Sequence, residues 1–401
     1  VPKLSIAVVG AGIGGLTAAL ALARQGHAIT LVERRTGFSE VGAGLQLSPN
    51  ASRILLGLGL GAALRRVATE PQRVVVRAIR AGKTIGQVAL GPFMRERFGA
   101  PYWVVHRADL QTILLDAVRS DPSIRLVMGR NVEAVEDGEI QARLTWTSAG
   151  GARDTVAADM IVGADGVWSK VRQALGDRTP PAFRGTIAWR STVERKAAPA
   201  ELAGNETGLW LGPQGHVVHY PIAGGRLVNV VAIERSPAPV EGWAAPGNRD
   251  ELLQHYASAA PALRTLLSRP QEWLRWSLFD HPAERLAKGR IALLGDAAHP
   301  VLPFLAQGAA LAIEEAATLA FLLGQGEFLG QDRPDVPQTL AVYEKQRLAR
   351  ANRVQKEARK NGRIYHAGGV VAFGRNQVMR HLGPEGMTRR YDWLYGFRPP
   401  E

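Results

Sequence analysis

Residues 4–9 form a short apolar run, Leu-Ser-Ile-Ala-Val-Val, with the length and composition of a buried strand. A glycine-rich turn, Gly10-Ala11-Gly12-Ile13-Gly14-Gly15, follows at once, and residues 16–24 are then rich in Ala and Leu. That helical pattern stops at Gln25-Gly26, where glycine can take the left-handed conformation that ends a helix. A second apolar run over 28–32 closes on Glu33. Strand, glycine turn, helix, strand and acid in this order predict a βαβ unit.

Farther along, 72–90 predicts two strands around a Gly82-Lys83 turn, and 108–118 an amphipathic helix. Residues 124–127 and 131–146 read as strands, and 159–163 as a buried strand ahead of Ala164-Asp165-Gly166. From 180 to 279 the pattern changes to period 2. The runs 185–193, 208–211, 216–221 and 227–233 alternate and are parted by Gly-Gly and Pro-Gln-Gly turns, which predicts an antiparallel sheet. Trp189, Trp210, Trp243, Trp273 and Trp276 fall in this block, where core packing accounts for them. Residues 290–294 return to the buried-strand pattern ahead of Gly295-Asp296, a helix of small residues starts near Gln307, and the remainder reads as mainly helical. The predicted class is α/β. A Rossmann-like dinucleotide-binding domain takes 1–72, 98–179 and 280–337, a mostly antiparallel β-sheet substrate domain takes 73–97 and 180–279, and 338–401 is a C-terminal helical segment.

Composition removes several alternatives. With 46% hydrophobic and 21% charged residues, the 401-residue chain has an ordinary globular balance. It has no cysteine, so disulfides, thiolate metal sites and cysteine nucleophiles are excluded, and no metal site is expected. The apolar stretch 304–323 carries Glu314 and Glu315, which speaks against an integral membrane span. With no basic-then-apolar leader, a soluble cytoplasmic protein is expected. The net charge is +13, and residues 338–401 hold 13 Lys/Arg against 5 Asp/Glu. Arg347, Arg350, Arg353, Lys356 and Lys360 recur at helical spacing, so the excess reads as a solvated helix face, and no nucleic-acid partner is expected. A basic chain also attracts anionic substrates and phosphate-bearing cofactors.

In the glycine turn, Gly10 permits the sharp bend, Gly12 the approach of backbone to a pyrophosphate, and Gly15 close packing of helix on strand. The helix N-terminus favours phosphate. Glu33 is placed to bind ribose hydroxyls and would repel a 2′-phosphate. FAD and NAD share this fingerprint. Asp165-Gly166 and Gly295-Asp296, each after a predicted strand, add carboxylates where α/β sheets bind ligands.

Together these motifs resemble the single-component FAD-dependent aromatic hydroxylases, the family that includes salicylate and 3-hydroxybenzoate hydroxylases. The resemblance rests on GAGIGGLTAALALARQGH with Glu33, GAGLQLSPNA from Gly42, HRADL from His106, GADGVWSKVR from Gly163 and GDAAHPVLPFLAQGAALAIEEA from Gly295, in the family's order across nearly the whole chain. It implies that Gly10, Gly12, Gly14, Gly15, Glu33 and Arg34 hold the ADP half of FAD. It places Arg107 on the ribityl or phosphate region and Asp165 near the pyrophosphate and the nicotinamide donor. Asp296 would meet ribityl hydroxyls or phosphate, and Gly308 and Ala309 would aim N–H groups at the flavin N1–C2=O edge.

The implied reaction is reduction by NADH or NADPH and reaction with O₂, giving a C4a-hydroperoxyflavin that hydroxylates a small phenolic acid such as a hydroxybenzoate. On the strand His216-Val217-Val218-His219-Tyr220-Pro221, alternation puts His216, Val218 and Tyr220 on one face and His219 on the other. His216 and Tyr220 keep the His–Tyr spacing that the family's catalytic strand carries. Gln46, Pro303, Phe304 and Gln307 are the candidate pocket residues, with His299 as a loop-shaping neighbour. Relatives acting on hydroxynicotinate carry histidines where this chain has Gln46 and Phe304, a departure that argues against that substrate. Arg184, Arg190 and Arg226 are open candidates for binding a carboxylate. The alternatives are a non-benzoate substrate (an N-heteroaromatic, a quinone precursor or an isoprenoid to be epoxidised), an NAD-dependent dehydrogenase, and a binding module. A homodimer is the base-rate expectation.

Overall fold

The computed structural model describes residues 4–38, 44–242, 244–325 and 334–399. Gly42, where one motif begins, and Trp243 lie outside the described residues. The first sheet has the strand order Ala287–Lys288, Ile291–Leu293, Met160–Gly163, Ser5–Val9, Ala28–Val32, Ile124–Val127. All its pairs run parallel except the Ala287–Lys288 edge. Strands of a parallel sheet are covered on both faces, and so their sequences are continuously apolar. Helix Ile13–Ala23, helix Gly308–Gly324 and an antiparallel meander share one apolar core with this sheet.

The meander corrects one expectation. The run 131–146 is two strands, Arg130–Glu136 and Ala142–Ser148, and an unpredicted third strand, Arg153–Ala158, joins them. The exposed side chains of Arg153, Asp154 and Thr155 hide that edge strand from a search for apolar runs.

The second sheet has eight strands, in the order Ala245–Gly247, Trp273–Asp280, Ala182–Glu194, Leu227–Arg235, Gly215–Ile222, Thr207–Gly212, Arg73–Ala78, Thr84–Ala89. Its pairing is antiparallel except between Thr207–Gly212 and Arg73–Ala78. A turn with Gly82 at φ 69° makes the predicted link between the last two strands. A two-stranded ribbon, Gly44–Leu47 with Trp103–His106, adjoins Gly215–Ile222.

The C-terminal chain forms helix Val336–Tyr365, helix Gly369–Arg389 (bent at Gly383, φ 63°, before Pro384) and helix Asp392–Tyr395. The charge pattern of the first is not the solvated face that its spacing predicts. Arg347 is only 1% exposed, and its Nη2 donates to Glu314 Oε2 at 2.6 Å. Arg350 donates to both oxygens of the same carboxylate, at 2.6 and 2.7 Å. Asn50 Nδ2 adds a bond at 2.6 Å. Burial alone would raise the Glu314 pKa, but Arg347 and Arg350 outweigh it and hold it below the usual carboxylate range. Arg353 stacks 3.8 Å from the Trp393 ring centroid. The basic face is therefore partly an internal lock, turned toward a helix that spacing alone does not reveal. Among the described residues no helix is long and apolar enough to cross a membrane.

Candidate active site

The glycine turn sits at the C-terminal end of the central parallel strand, and its glycines do different work. Gly10 has φ 99°, and a Cβ there would stand 2.5 Å from Ala164 O. A Cβ on Gly15 would stand 1.8 Å from Gly10 O, and one on Gly14 2.8 Å from Leu294 Cδ1. Those three permit packing. A Cβ on Gly12 would meet no protein atom within 4 Å, so nothing in the protein requires a glycine there. Helix Ile13–Ala23 begins at Gly12 with no side-chain cap, leaving its first N–H groups to an external acceptor. This is a cradle with its open side toward a ligand.

Glu33 is 5% exposed. Its Oε2 accepts Ala11 N–H at 2.9 Å and its Oε1 accepts the Arg35 N–H at 2.9 Å and Nε–H at 3.1 Å. The carboxylate thus braces the turn it was expected to serve. Arg35 is the cation that meets Glu33, while Arg34 is exposed. From helix Arg107–Ser120, Gln111 Nε2 donates to Ala11 O at 3.3 Å, a contact no motif announced.

The two acidic turns differ. The Asp165 backbone borders Gly10, but its carboxylate accepts Ser169 Oγ–H at 2.5 Å, Lys170 N–H at 2.7 Å and Val171 N–H at 3.2 Å. Together with the N-cap residue Ser169 it satisfies the first N–H groups of helix Lys170–Ala174. Asp296 is exposed although its neighbours Gly295 and Ala297 are buried. Surrounding protein raises its pKa, while nearby His299 and Arg107 lower it. A carboxylate enclosed by protein yet open to solvent, with no hydrogen-bond donor among the described residues, is available to a ligand. Glu315 fixes this turn by accepting Gly295 N–H at 2.8 Å and pairing with His299 Nε2 at 2.5 Å, which gives His299 the loop-shaping place expected of it. Burial would depress the His299 pKa, but Glu315 outweighs it and holds it above the ordinary value. Gly308 and Ala309 open their helix half-exposed and without a side-chain cap. Gly12, Asp296, Arg107 and this helix start suit a long, phosphate-bearing, hydroxylated cofactor.

Between the eight-stranded sheet and the C-terminal helices lies a cavity of about 370 Å³. Alternating side chains of adjacent strands, among them Val74, Val76, Leu209, His216 and Val218, form one wall. Gln46, Pro303 and Phe304 line it as expected. Gln307 does not. It is 1% exposed, and its amide is spent on Ser48 Oγ at 3.0 Å and Asn50 Nδ2 at 3.0 Å, which secure the helix start.

His216 lines the cavity and packs against Phe304 and Tyr365, with ring centroids 5.5 and 5.3 Å away. Its Nδ1 meets His366 Nε2 at 2.8 Å. Burial and the neighbouring His366 hold its pKa well below the ordinary histidine value. Tyr220 shares the predicted face but does not line the cavity. It lies under Gly44, where a Cβ would stand 2.5 Å from Tyr220 Cε2. Burial raises its pKa, so the phenol stays neutral. His219, on the other face, packs near Trp210, and burial lowers its pKa to about 3.

None of the three arginines proposed for a carboxylate lines the cavity. Arg184 pairs with Asp280, Arg190 stacks 5.1 Å from the Trp276 centroid, and Arg226 Nε donates to Ala223 O at 3.1 Å. The cations on its wall are Arg375 and Arg390, from the C-terminal helices. Arg375 Nη1 donates to Ile364 O at 2.9 Å and its Nε to Asn376 Oδ1 at 3.0 Å, and among the described residues no acceptor is seen for Nη2. Tyr102 is a further unpredicted member, whose hydroxyl donates to Gln46 Oε1 at 2.5 Å.

Comparison with known proteins identifies the family. The family model for the FAD binding domain matches residues 3–358. The 3-hydroxybenzoate 6-hydroxylase of Polaromonas naphthalenivorans (strain CJ2) is 35% identical over 396 residues, covering 98% of this chain and 96% of that one. The 3-amino-4-hydroxybenzoate 2-monooxygenase PtnB3 of Streptomyces platensis is 37% identical over 397 residues, with 98% and 96% covered. A solved salicylate hydroxylase substrate complex superposes with a TM-score of 0.82 at 28% identity, covering 99% of this chain and 96% of that one.

Proposed function

The chain belongs to the FAD-binding-domain flavoproteins and is an FAD-dependent aromatic monooxygenase, and from that premise we propose that it hydroxylates a phenolic aromatic acid of the hydroxybenzoate class. The observation that carries this reading is one cavity holding a histidine with a depressed pKa, His216, and two cations, Arg375 and Arg390, on otherwise largely apolar walls. A hydroxybenzoate presents the matching pair, a phenol and a carboxylate on one ring. The hydroxybenzoate named in both relatives supports the same class.

Bound FAD supplies acceptance of hydride from NAD(P)H and activation of O₂. The chain's part is to bind, orient and dry. Gly12 and the uncapped helix behind it would take the pyrophosphate, and Asp296 would accept from ribityl hydroxyls. The Gly308–Ala309 N–H groups would favour negative charge on a flavin edge placed at this helix start. Arg375 Nη2 anchors the substrate carboxylate by a charge-assisted hydrogen bond. His216 Nε2 takes the phenol proton, which makes the ring more electron-rich. Tyr220 and Tyr102 hold Gln46 in place. The apolar wall excludes water that would divert oxygen to H₂O₂.

The test is oxidation of NADH and NADPH by the FAD-loaded protein across a panel of hydroxybenzoates, with hydroxylated product and H₂O₂ quantified together. One hydroxybenzoate should accelerate oxidation with product matching reductant consumed. A panel in which only peroxide forms contradicts the reading. The breadth of the apolar wall favours a second reading, a larger non-benzoate substrate. It predicts that uncharged ring systems outperform the acids in the same assay.

A further inference from the structure

His216 poses a problem that the proposed function leaves open. It is 2% exposed, packed against Phe304 and Tyr365, and its pKa is depressed. A base in that position can accept a proton but cannot keep it as a buried cation. The proton needs an onward path, and the structure offers one. His216 Nδ1 lies 2.8 Å from Nε2 of His366, and the two rings are 5.0 Å apart between centroids. His366 caps the C-terminus of helix Val336–Tyr365 and is partly solvent-accessible, whereas His216 is sealed.

We propose that His366 is a proton-relay residue, which passes the substrate's phenolic proton from His216 to solvent. This rests on the hydroxylase reading above. In the starting state His216 carries its proton on Nδ1 and donates it to the Nε2 lone pair of His366, whose own proton is on Nδ1. The phenol O–H bond breaks as a bond forms from that proton to His216 Nε2. The His216 Nδ1–H bond breaks as His366 Nε2–H forms, and the His366 Nδ1 proton leaves to water or buffer. Both rings end neutral with their tautomers exchanged, and His216 Nε2–H then donates to the phenolate it has made. No electrons change owner, and no buried imidazolium has to persist. The charged group bearing on His366 from another element is Arg235, and together with burial it lowers the His366 pKa to about 4. Arg235 thus opposes a resting cation there and favours release.

The test uses the FAD-loaded protein without NAD(P)H. A hydroxybenzoate is mixed in a stopped-flow instrument, and phenolate absorbance and proton release to an indicator dye are followed. His366→Gln keeps a hydrogen-bonding side chain but cannot pass a proton through. It should slow phenolate formation at least tenfold while ligand affinity stays within about threefold. His366→Ala should be slowed likewise and recover when 4-methylimidazole is added, a rescue that a packing role would not give. Wild-type rates in His366→Gln overturn the relay. So does a loss of affinity equal to the loss of rate, with no imidazole rescue. A wild-type protein that binds the acid without forming phenolate overturns the relay and leaves the substrate class standing. A wild-type protein that binds no hydroxybenzoate overturns both.

Discussion

Substituting Gly12 by alanine separates the cofactor role of the glycine turn from its folding role. Gly12 has φ −74°, a conformation alanine adopts without strain, and its Cβ would meet nothing within 4 Å. Two small terms oppose each other in the unliganded protein. Alanine is a poorer helix N-cap by about 0.5–1 kcal/mol. It also lowers the entropy of the unfolded chain, which stabilises by about 0.4–1 kcal/mol. The apo-protein should therefore melt close to wild type. The new methyl stands where a pyrophosphate must approach the backbone, and displacing it forfeits a charge-assisted hydrogen bond of about 1.5–3 kcal/mol, roughly 10- to 100-fold in Kd. Gly15→Ala is the contrasting control. Its Cβ would stand 1.8 Å from Gly10 O, and relieving that overlap should destabilise the apo-fold by about 1–3 kcal/mol or more. The assay is FAD titration by fluorescence quenching beside thermal melting of the apo-proteins. An unchanged Kd for Gly12→Ala, or an apo-melt depressed as far as that of Gly15→Ala, would refute the assignment of Gly12 to the ligand.

Other consequences can be checked independently. His216→Ala should lower kcat for hydroxylation by about 10²- to 10⁴-fold while FAD content is retained, measured by product formation with the preferred hydroxybenzoate. Arg375→Met should raise the Kd of that acid by roughly 10- to 100-fold yet leave the Kd of the corresponding uncharged phenol unchanged, by titration of the flavin absorbance. Glu314→Ala removes the carboxylate bonded to buried Arg347, leaving it only Glu315 at 4.0 Å, and should cost about 3 kcal/mol in urea unfolding. The Glu314 pKa is depressed in the fold, so its stabilisation is complete above the unfolded carboxylate value and is lost as pH falls through the folded value. Acid unfolding of wild type should show this loss, and Glu314→Ala should lack it.

Local signals in the sequence were enough to anticipate the βαβ unit, the Gly82 turn and the face shared by His216 and Val218, because each is fixed by neighbours a few positions away. Features that depend on distant partners were not legible. Arg347 and Arg350 repeat like a solvated stripe, and only the fold brings Glu314 from another helix to meet them. His366 stands 150 residues from His216, and nothing in its own surroundings marks it. Arg375 belongs to a helix whose exposed Val370, Val371 and Phe373 suggest surface, yet it supplies a cation to the cavity wall. Gln307 was misplaced for a related reason. It sits in the right loop, but Ser48 and Asn50 claim its amide. Residue type and spacing narrow the chemistry, and long-range packing decides which of several equivalent side chains carries it.

The central claim is that this chain inserts oxygen into the ring of a hydroxybenzoate. Turnover of the FAD-loaded protein with NAD(P)H and the preferred acid under ¹⁸O₂, with mass spectrometry of the product, tests it most directly. The account predicts one ¹⁸O atom per product molecule, bound to the ring, and none when ¹⁸O is supplied as water. Product oxygen drawn from water, or reductant consumed with unaltered acid and a full equivalent of H₂O₂, would contradict it.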